Sequence, residues 1–329
     1  MNDLADLADF LVSHPAVAEK ANIHRVSEAA YEISSHTRIG EDCAAILSLA
    51  GQGHLLLAAE GMLESLVEDD PWFAGYSAVM ANLSEIAAMG GRPIAITDVM
   101  CTPSDEISEK IWQGIQAASE AYDVPIVGGH TFHIQSGKAS PSAGVLGHAG
   151  DRLMTSSDAK AGDHLVIAID MHGSYRGEKS LWNASTTTPP ERLRSDLELL
   201  PSLVEKGLCH AGKDIRKGGI IGTLAMMCNR SEVGVVLDLE RLPCPMDTEM
   251  EKWLTTLPSF GYLLAISHED LESTLMHFTS TKVTCRPIGN FRTELGITLT
   301  ADGERANLVF GQPRIHAAAH VLHVGEPVA

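Results

Sequence analysis

Residues 60–93 read EGMLESLVEDDPWFAGYSAVMANLSEIAAMGGRP, and the fold turns on how this stretch is parsed. An apolar run, Leu55 to Ala59, ends at the carboxylate Glu60. An acidic loop follows, and then a helix with well-marked ends. Asp70 is a good N-cap, and Pro71 suits the first helical position, where its missing N–H would be unpaired anyway. Gly90 and Gly91 permit a left-handed C-terminal cap, and Pro93 bars continuation. Val79, Leu83 and Ile86 form an apolar stripe at helical spacing, while Asn82 and Glu85 share another face. Ala74, Gly75, Ala78, Ala81, Ala87 and Ala88 keep the helix slim, so its backbone can approach a neighbour closely. A slim helix bearing one polar couple marks a candidate site. A packed helix with an exposed Glu is the alternative that this stretch alone leaves open.

The chain has 329 residues, beyond the size at which one core usually stops growing, so two domains are expected. Its hydrophobic content of 44% and charged content of 20% are those of a globular protein. A formal charge of −19 argues against a nucleic-acid or anionic-membrane surface. It also opposes any phosphate ligand unless divalent cations stand between. The six Cys are scattered without a C-x-x-C pair, as expected of reduced thiols. Met1 to Phe10 is acidic and lacks a signal peptide's basic and apolar regions. No apolar run approaches the ~20 residues of a membrane span, so a cytoplasmic protein is expected.

From residue 3 to about 35 the pattern is helical, with Leu4, Leu7, Ala8 and Leu11 on one face and a break near His14-Pro15. An acidic turn at Glu41-Asp42 then feeds a short strand, and Gly51-Gln52-Gly53 returns the chain as a second one, residues 54–59. Paired antiparallel, the two strands bring Asp42 and Glu60 to one end of the hairpin, offset by about two residues or roughly 7 Å. Two carboxylates at one strand end repel unless a cation lies between them. After the central helix come a strand (94–99), a helix (105–122), a short strand (124–127) closed by the turn Gly128-Gly129-His130-Thr131, and a strand (142–149). A second α/β unit starts at 164, with 170–191 a long polar loop, 195–206 one helix, and strands at 233–237, 261–266, 283–288 and 296–300. The favoured boundary, 151–160, divides a domain of residues 1–155, with a helical extension over 1–38, from one of 156–329.

Paired glycines after a strand let phosphates approach backbone N–H groups, with His130 and Thr131 as further donors, although most such pairs are plain turns. Asp214 heads a Gly-rich entry to a helix, where a carboxylate is often an N-cap. Residues 173–180, GSYRGEKS, have the wrong spacing for a P-loop. His316, His320 and His323 stand at a spacing able to bind zinc, or belong to a solvated segment.

Taken together, four stretches in order resemble the AIR synthase, FGAM synthase, selenophosphate synthase, thiamine-monophosphate kinase and HypE superfamily: IGEDCAAI (39–46), AAEGM (58–62) with DDPWFAGYSAVMANLSEIAAMGGRP (69–93), VGGHT (127–131) and GKDIRKGGIIGTL (212–224). The helix motif and VGGHT look most like selenophosphate synthase, and SFGYLLAI (259–266) and IGNF (288–291) also fit. The resemblance implies an α+β, α/β two-domain chain: an N-terminal mixed sheet with helices that dimerises, and a C-terminal α/β sandwich. It further implies ATP bound in a cleft with Mg²⁺ and a small-molecule substrate, the sites lying at a homodimer interface. Position by position, it assigns metal to Asp42, Glu60, Glu85 and Asp214. The nucleotide falls to Asp42, Glu60, Asn82, Glu85, Gly128, Gly129, His130 and Thr131, the glycine segment serving the partner's nucleotide in the dimer. Hard Mg²⁺ held by carboxylates would make an acidic cleft attractive to ATP.

The chain departs from selenophosphate synthase in lacking any Cys over residues 1–38, where Lys20, in AEKAN, is the one Lys. Glu41, Glu60 and Glu85 stand where Asp is commonest in the superfamily. The resulting expectation is an Mg-dependent enzyme that phosphorylates or ATP-activates a small molecule. A non-catalytic nucleotide-binding or assembly protein of the same fold is the alternative.

Overall fold

Two short helices, α1 (Leu4–Ser13) and α2 (Pro15–Ala21), open the chain, and Asp3 caps the first by accepting from the Ala5 N–H at 3.1 Å. His14 before Pro15 is extended, as a residue preceding proline must be, and this makes the break. The computed structural model describes residues 3–21, 41–48, 51–177 and 180–308, so the expected helix beyond 21 and the three C-terminal histidines lie outside the described residues.

Strands β1 (Ala44–Leu47) and β2 (His54–Gly61) pair antiparallel with Ala44 opposite Leu57. Extending that register sets Asp42 opposite Ala59, one residue from Glu60 rather than two. Helix α3 (Glu64–Asp69) leads into α4 (Pro71–Ala88), where Asp70 Oδ1 accepts from the Phe73 N–H at 3.0 Å. At its other end Gly90 has φ +79° and the Gly91 N–H donates to Ile86 O at 3.0 Å. Then follow β3 (Arg92–Thr102), α5 (Asp105–Tyr122), β4 (Ile126–His133) and β5 (Ser140–Ala149). Helix α4 is buried on every side, which its small residues allow. A Cβ on Gly75 would stand 2.0 Å from Ile111 O, and one on Gly114 1.9 Å from Trp72 O, so α4 and α5 cross almost backbone to backbone. These strands form one sheet in the order β1-β2-β5-β3-β4. Leu56, Ala58, Ile96 and Val145 face the helices, whereas Leu57, Val99, Val127 and Leu146 are exposed.

The second half comprises β6 (His164–Ile169), β7 (Ser174–Tyr175), β8 (Leu181–Asn183), α6 (Pro190–Leu197), α7 (Leu199–Glu205), β9 (Ala211–Asp214) and α8 (Gly219–Ser231). After it come β10 (Gly234–Asp238), α9 (Met250–Leu254), β11 (Leu257–Pro258), β12 (Gly261–Ile266), α10 (Leu271–Phe278), β13 (Thr284–Arg292), β14 (Gly296–Ala301) and β15 (Glu304–Leu308). Its main sheet runs β15-β14-β10-β13-β6-β12-β9. Every residue of β12 is buried, because the sheet is covered on both faces. Val166, Ala168, Tyr262 and Leu264 pack into the core of the first half. Leu165, Ile167, Leu263 and Ala265 pack with Leu7, Leu11 and α8 in a second core. The N-terminal helices thus join the second sheet, not the first.

Three local expectations change. Residues 170–191 are not all loop: β7 and β8 pair with each other, β8 with β11, and Trp182 packs edge-on against Trp253. Residues 195–206 fall within two helices that meet at Glu198, since Pro201 is tolerated only in a fresh first turn. Residues 128–131 are not a turn but the middle of β4. No described helix is long and apolar enough to cross a membrane.

Candidate functional site

Three positions from the first half and one from the second bring carboxylates near enough to act on one another's charge. Asp42 lies just before β1, Glu60 near the end of β2, Glu85 in the last turns of α4, and Asp214 at the end of β9. Asp214 does not cap a helix, for α8 starts at Gly219 and Gly218 is its N-cap. It is 1% exposed, and neither carboxylate oxygen has a hydrogen-bond partner. Neighbouring Glu41 points elsewhere, its Oε2 accepting from the Ser156 N–H at 2.6 Å and hydroxyl at 2.7 Å.

The sequence reading missed the cations that answer these charges. Lys213 contacts Asp42, with both side chains almost fully buried, and Arg216 contacts Glu60. Arg216 Nε also lies 3.6 Å from Asp214. Burial alone would lower the Lys213 ammonium, but Asp42, then Asp214, hold it above its ordinary value. Arg216 is likewise held up against burial by Glu60 and Asp214. Burial pushes Asp214 well above the carboxylate range, reinforced by Asp42, and does the same to Glu85, reinforced by Glu60 and Asp214. The signal in the sequence was the alternation Lys213-Asp214-Ile215-Arg216, which on a strand end places bases beside an acid. Among the described residues no three His, Cys, Asp or Glu side chains are close enough to hold a metal ion by themselves.

Asn82 is buried in α4, its amide donating to Ala78 O at 2.7 Å and to Ala143 O of β5 at 3.1 Å, while its Oδ1 is unpaired. It ties helix to sheet. Gly128, Gly129, His130 and Thr131 pair with Thr97, Asp98, Val99 and Met100 of β3 at the exposed edge. A Cβ at Gly129 would meet Asp98 Oδ1 at 2.1 Å, so glycine lets that buried carboxyl lie over the edge strand. Burial raises the Asp98 carboxyl. Since β4 and β1 bound opposite edges of the sheet, four strand spacings or roughly 19 Å separate residues 128–131 from Asp42 within one chain.

A cavity of about 140 Å³ adjoins the carboxylate group. Its walls include Leu66, Phe73, Met80, Trp182 and Leu257, and its charged end carries Lys20, Glu60, Arg216 and Lys217.

The family model for the AIR synthase related protein, N-terminal domain, matches residues 40–149, and that for its C-terminal domain matches 148–301. A Synechocystis protein, sll0787, is 41% identical over 268 residues, 81% of this chain and 82% of that one. Among solved structures, T. maritima PurL complexed with ATP superposes with a TM-score of 0.71 at 18% identity, over 88% of this chain and 47% of the other. This chain therefore spans about half the length of that PurL. AaThiL complexed with AMPPCP and TMP gives 0.64 at 18% identity over 86% and 92%. With both family models in sequence and the two sheets they imply, the chain belongs to the AIR synthase-related family.

Proposed function

We propose that this protein binds ATP with Mg²⁺ in the cleft between the two sheets and phosphorylates or ATP-activates a small molecule. The observation that carries the reading is Asp214, whose two buried oxygens are without a hydrogen-bond partner while Asp42, Glu60 and Glu85 lie near enough to repel its charge. The donor set suits a hard cation. Mg²⁺ commonly takes one or two carboxylates and completes its shell with water and substrate phosphates, so a cage of three protein ligands is not required. Asp214 and Glu85 are the residues that would hold it, with Asp42 and Glu60 also able to reach it by exchanging Lys213 and Arg216. When bound, the ion neutralises phosphate charge and polarises the transferred group. The chain's own part is to orient: Arg216 and Lys213 are cations already at hand for phosphate oxygens. PurL with ATP and ThiL with AMPPCP, on the same fold, support a nucleotide in this cleft.

Residues 128–131 serve that nucleotide only from a second copy, given their distance from Asp42. The bare sheet face supports such a homodimer: Val127 is 64% and Leu57 50% exposed on a surface that water should not see. Calorimetric titration with Mg-ATP tests the reading. Binding is expected for the wild type and a loss of at least tenfold, ~1.4 kcal/mol, for Asp214→Asn. Equal binding by the variant, or none by the wild type, refutes it.

A further inference from the structure

The cavity beside the carboxylates has a composition that the nucleotide reading leaves unused. Most of its lining is hydrocarbon or aromatic: Leu66, Phe73, Met80, Leu181, Trp182 and Leu257. A polyphosphate gains nothing from such a wall. An engineered apolar cavity of ~150 Å³ accepts benzene, so about 140 Å³ suits one six-membered ring or a short branched chain.

The charged end is held in place rather than left loose. Helix α2 docks on the Gly-rich segment that opens α8: a Cβ on Gly218 would stand 2.9 Å from Ala16 O, and one on Gly222 3.5 Å from Lys20 Cβ. Lys217 pairs with Glu19 of the same helix at 2.5 Å, and Asn229 Nδ2 donates to Ala21 O at 3.3 Å. These contacts fix Lys20 at the cavity. Of the lining cations, Arg216 is engaged by Glu60 and Lys217 by Glu19, while Lys20 forms no ion pair among those of the described residues. Burial and Lys213 oppose the Lys20 ammonium, and Glu60 and Asp214 favour it without ion-pair contact; lining an apolar cavity, it is complementary to an anion with an apolar body.

We propose that this cavity is the acceptor site, and that the acceptor is a small organic anion whose ring or branched body lies against Phe73 and Trp182 and whose anionic group meets Lys20. The proposal rests on the reading of the adjoining cleft as the nucleotide site, since that makes the cavity's occupant the second substrate. Lys20 is here a specificity residue.

Calorimetry on the full chain without nucleotide provides the test, with benzoate, phenyl phosphate, benzyl alcohol and benzylamine as probes. A separate titration with Mg-AMPPCP scores the nucleotide site. Benzoate or phenyl phosphate is expected to bind, and the stronger of the two tells carboxylate from phosphate. The alcohol and the amine should bind at least tenfold more weakly, since neither offers an anion to Lys20. Lys20→Met should lower anion affinity by the same factor, with Lys20→Arg restoring most of it. Met62→Trp, which fills the cavity from a half-buried position, should abolish binding at an unchanged unfolding midpoint. Benzylamine binding as tightly as benzoate, anion binding indifferent to both Lys20→Met and Met62→Trp, or no binding by either anion overturns the proposal. Anion binding with no AMPPCP binding would refute the nucleotide reading and leave the anion site standing.

Discussion

Replacing Lys213 by Met tests whether the carboxylate group is balanced by the chain's own cations. The Lys213 and Asp42 side chains are 6% and 4% exposed and touch each other, so neither charge is screened by solvent. Removing one member of a buried pair typically costs ~3–5 kcal/mol, because the remaining charge is left without compensation. On the scale of 2–4 °C per kcal/mol for domains of 150–250 residues, the melting midpoint should fall by ~6–20 °C. Asp42→Asn should cost less, since Lys213 retains Asp214 as a second partner. The double variant Lys213→Met, Asp42→Asn should recover part of the loss, with a coupling of about 1 kcal/mol or more, because both charges leave together. Mg²⁺ should stabilise Lys213→Met more than the wild type, a divalent ion then filling the cationic role. Thermal unfolding followed by circular dichroism measures all four forms. A midpoint for Lys213→Met within about 2 °C of wild type, or no coupling in the cycle, would refute the reasoning.

Asn82→Ala should lower stability by about 1–3 kcal/mol, because two buried hydrogen bonds are lost, while leaving Mg-ATP affinity unchanged. Lost affinity at unchanged stability in a urea titration would assign Asn82 to the nucleotide instead. Burial raises the Asp98 carboxyl above its unfolded value of 3.8, so the folded form holds the proton more tightly and stability falls as pH climbs from 3.8 towards the folded value. Asp98→Asn should remove that slope, read from unfolding midpoints across pH 3.5 to 6. Gly129→Ala should destabilise the wild type by about 1–3 kcal/mol through overlap with Asp98, and do so less in Asp98→Ser. Leu57→Glu with Val127→Glu should leave a folded monomer in sedimentation velocity if the bare sheet face joins two copies; an unchanged sedimentation coefficient would place the interface elsewhere.

What could be read from the sequence was what is written locally. Asp70, Pro71 and Gly90 mark the ends of α4 to the residue, because capping depends on side chains within a turn of the terminus. The hairpin turn at 51–53 is equally local, and its register followed to within one residue. Position 129 shows the limit. Two adjacent glycines read as a turn when only their neighbours in sequence are considered. In the fold the need for glycine comes from Asp98 on the adjacent strand, a contact that no local pattern encodes.

The same limit explains the reading of charge. A net −19 made divalent cations the natural answer to four acids in one place, and the one local hint of another answer was the alternation Lys213-Asp214-Ile215-Arg216. The structure supplies part of that answer from within, because β9 carries Lys213 to Asp42 and the turn after it carries Arg216 to Glu60, across separations of more than 150 residues. Asp214, set between these two cations in the chain, still keeps both oxygens without a hydrogen-bond partner. A site with every carboxylate paired would need no further positive charge, and one with none paired would not survive burial without metal. On the proposed reading, partial pairing, with Lys20 set at the neighbouring cavity by a docked helix, would let the protein fold first and take a cation and anionic ligands afterwards. On that account the N-terminal helices are part of the site: deleting residues 1–21 should weaken anion binding as Lys20→Met does. It should also lower stability, because Leu4, Leu7, Leu11 and Val17 would no longer cover the second core.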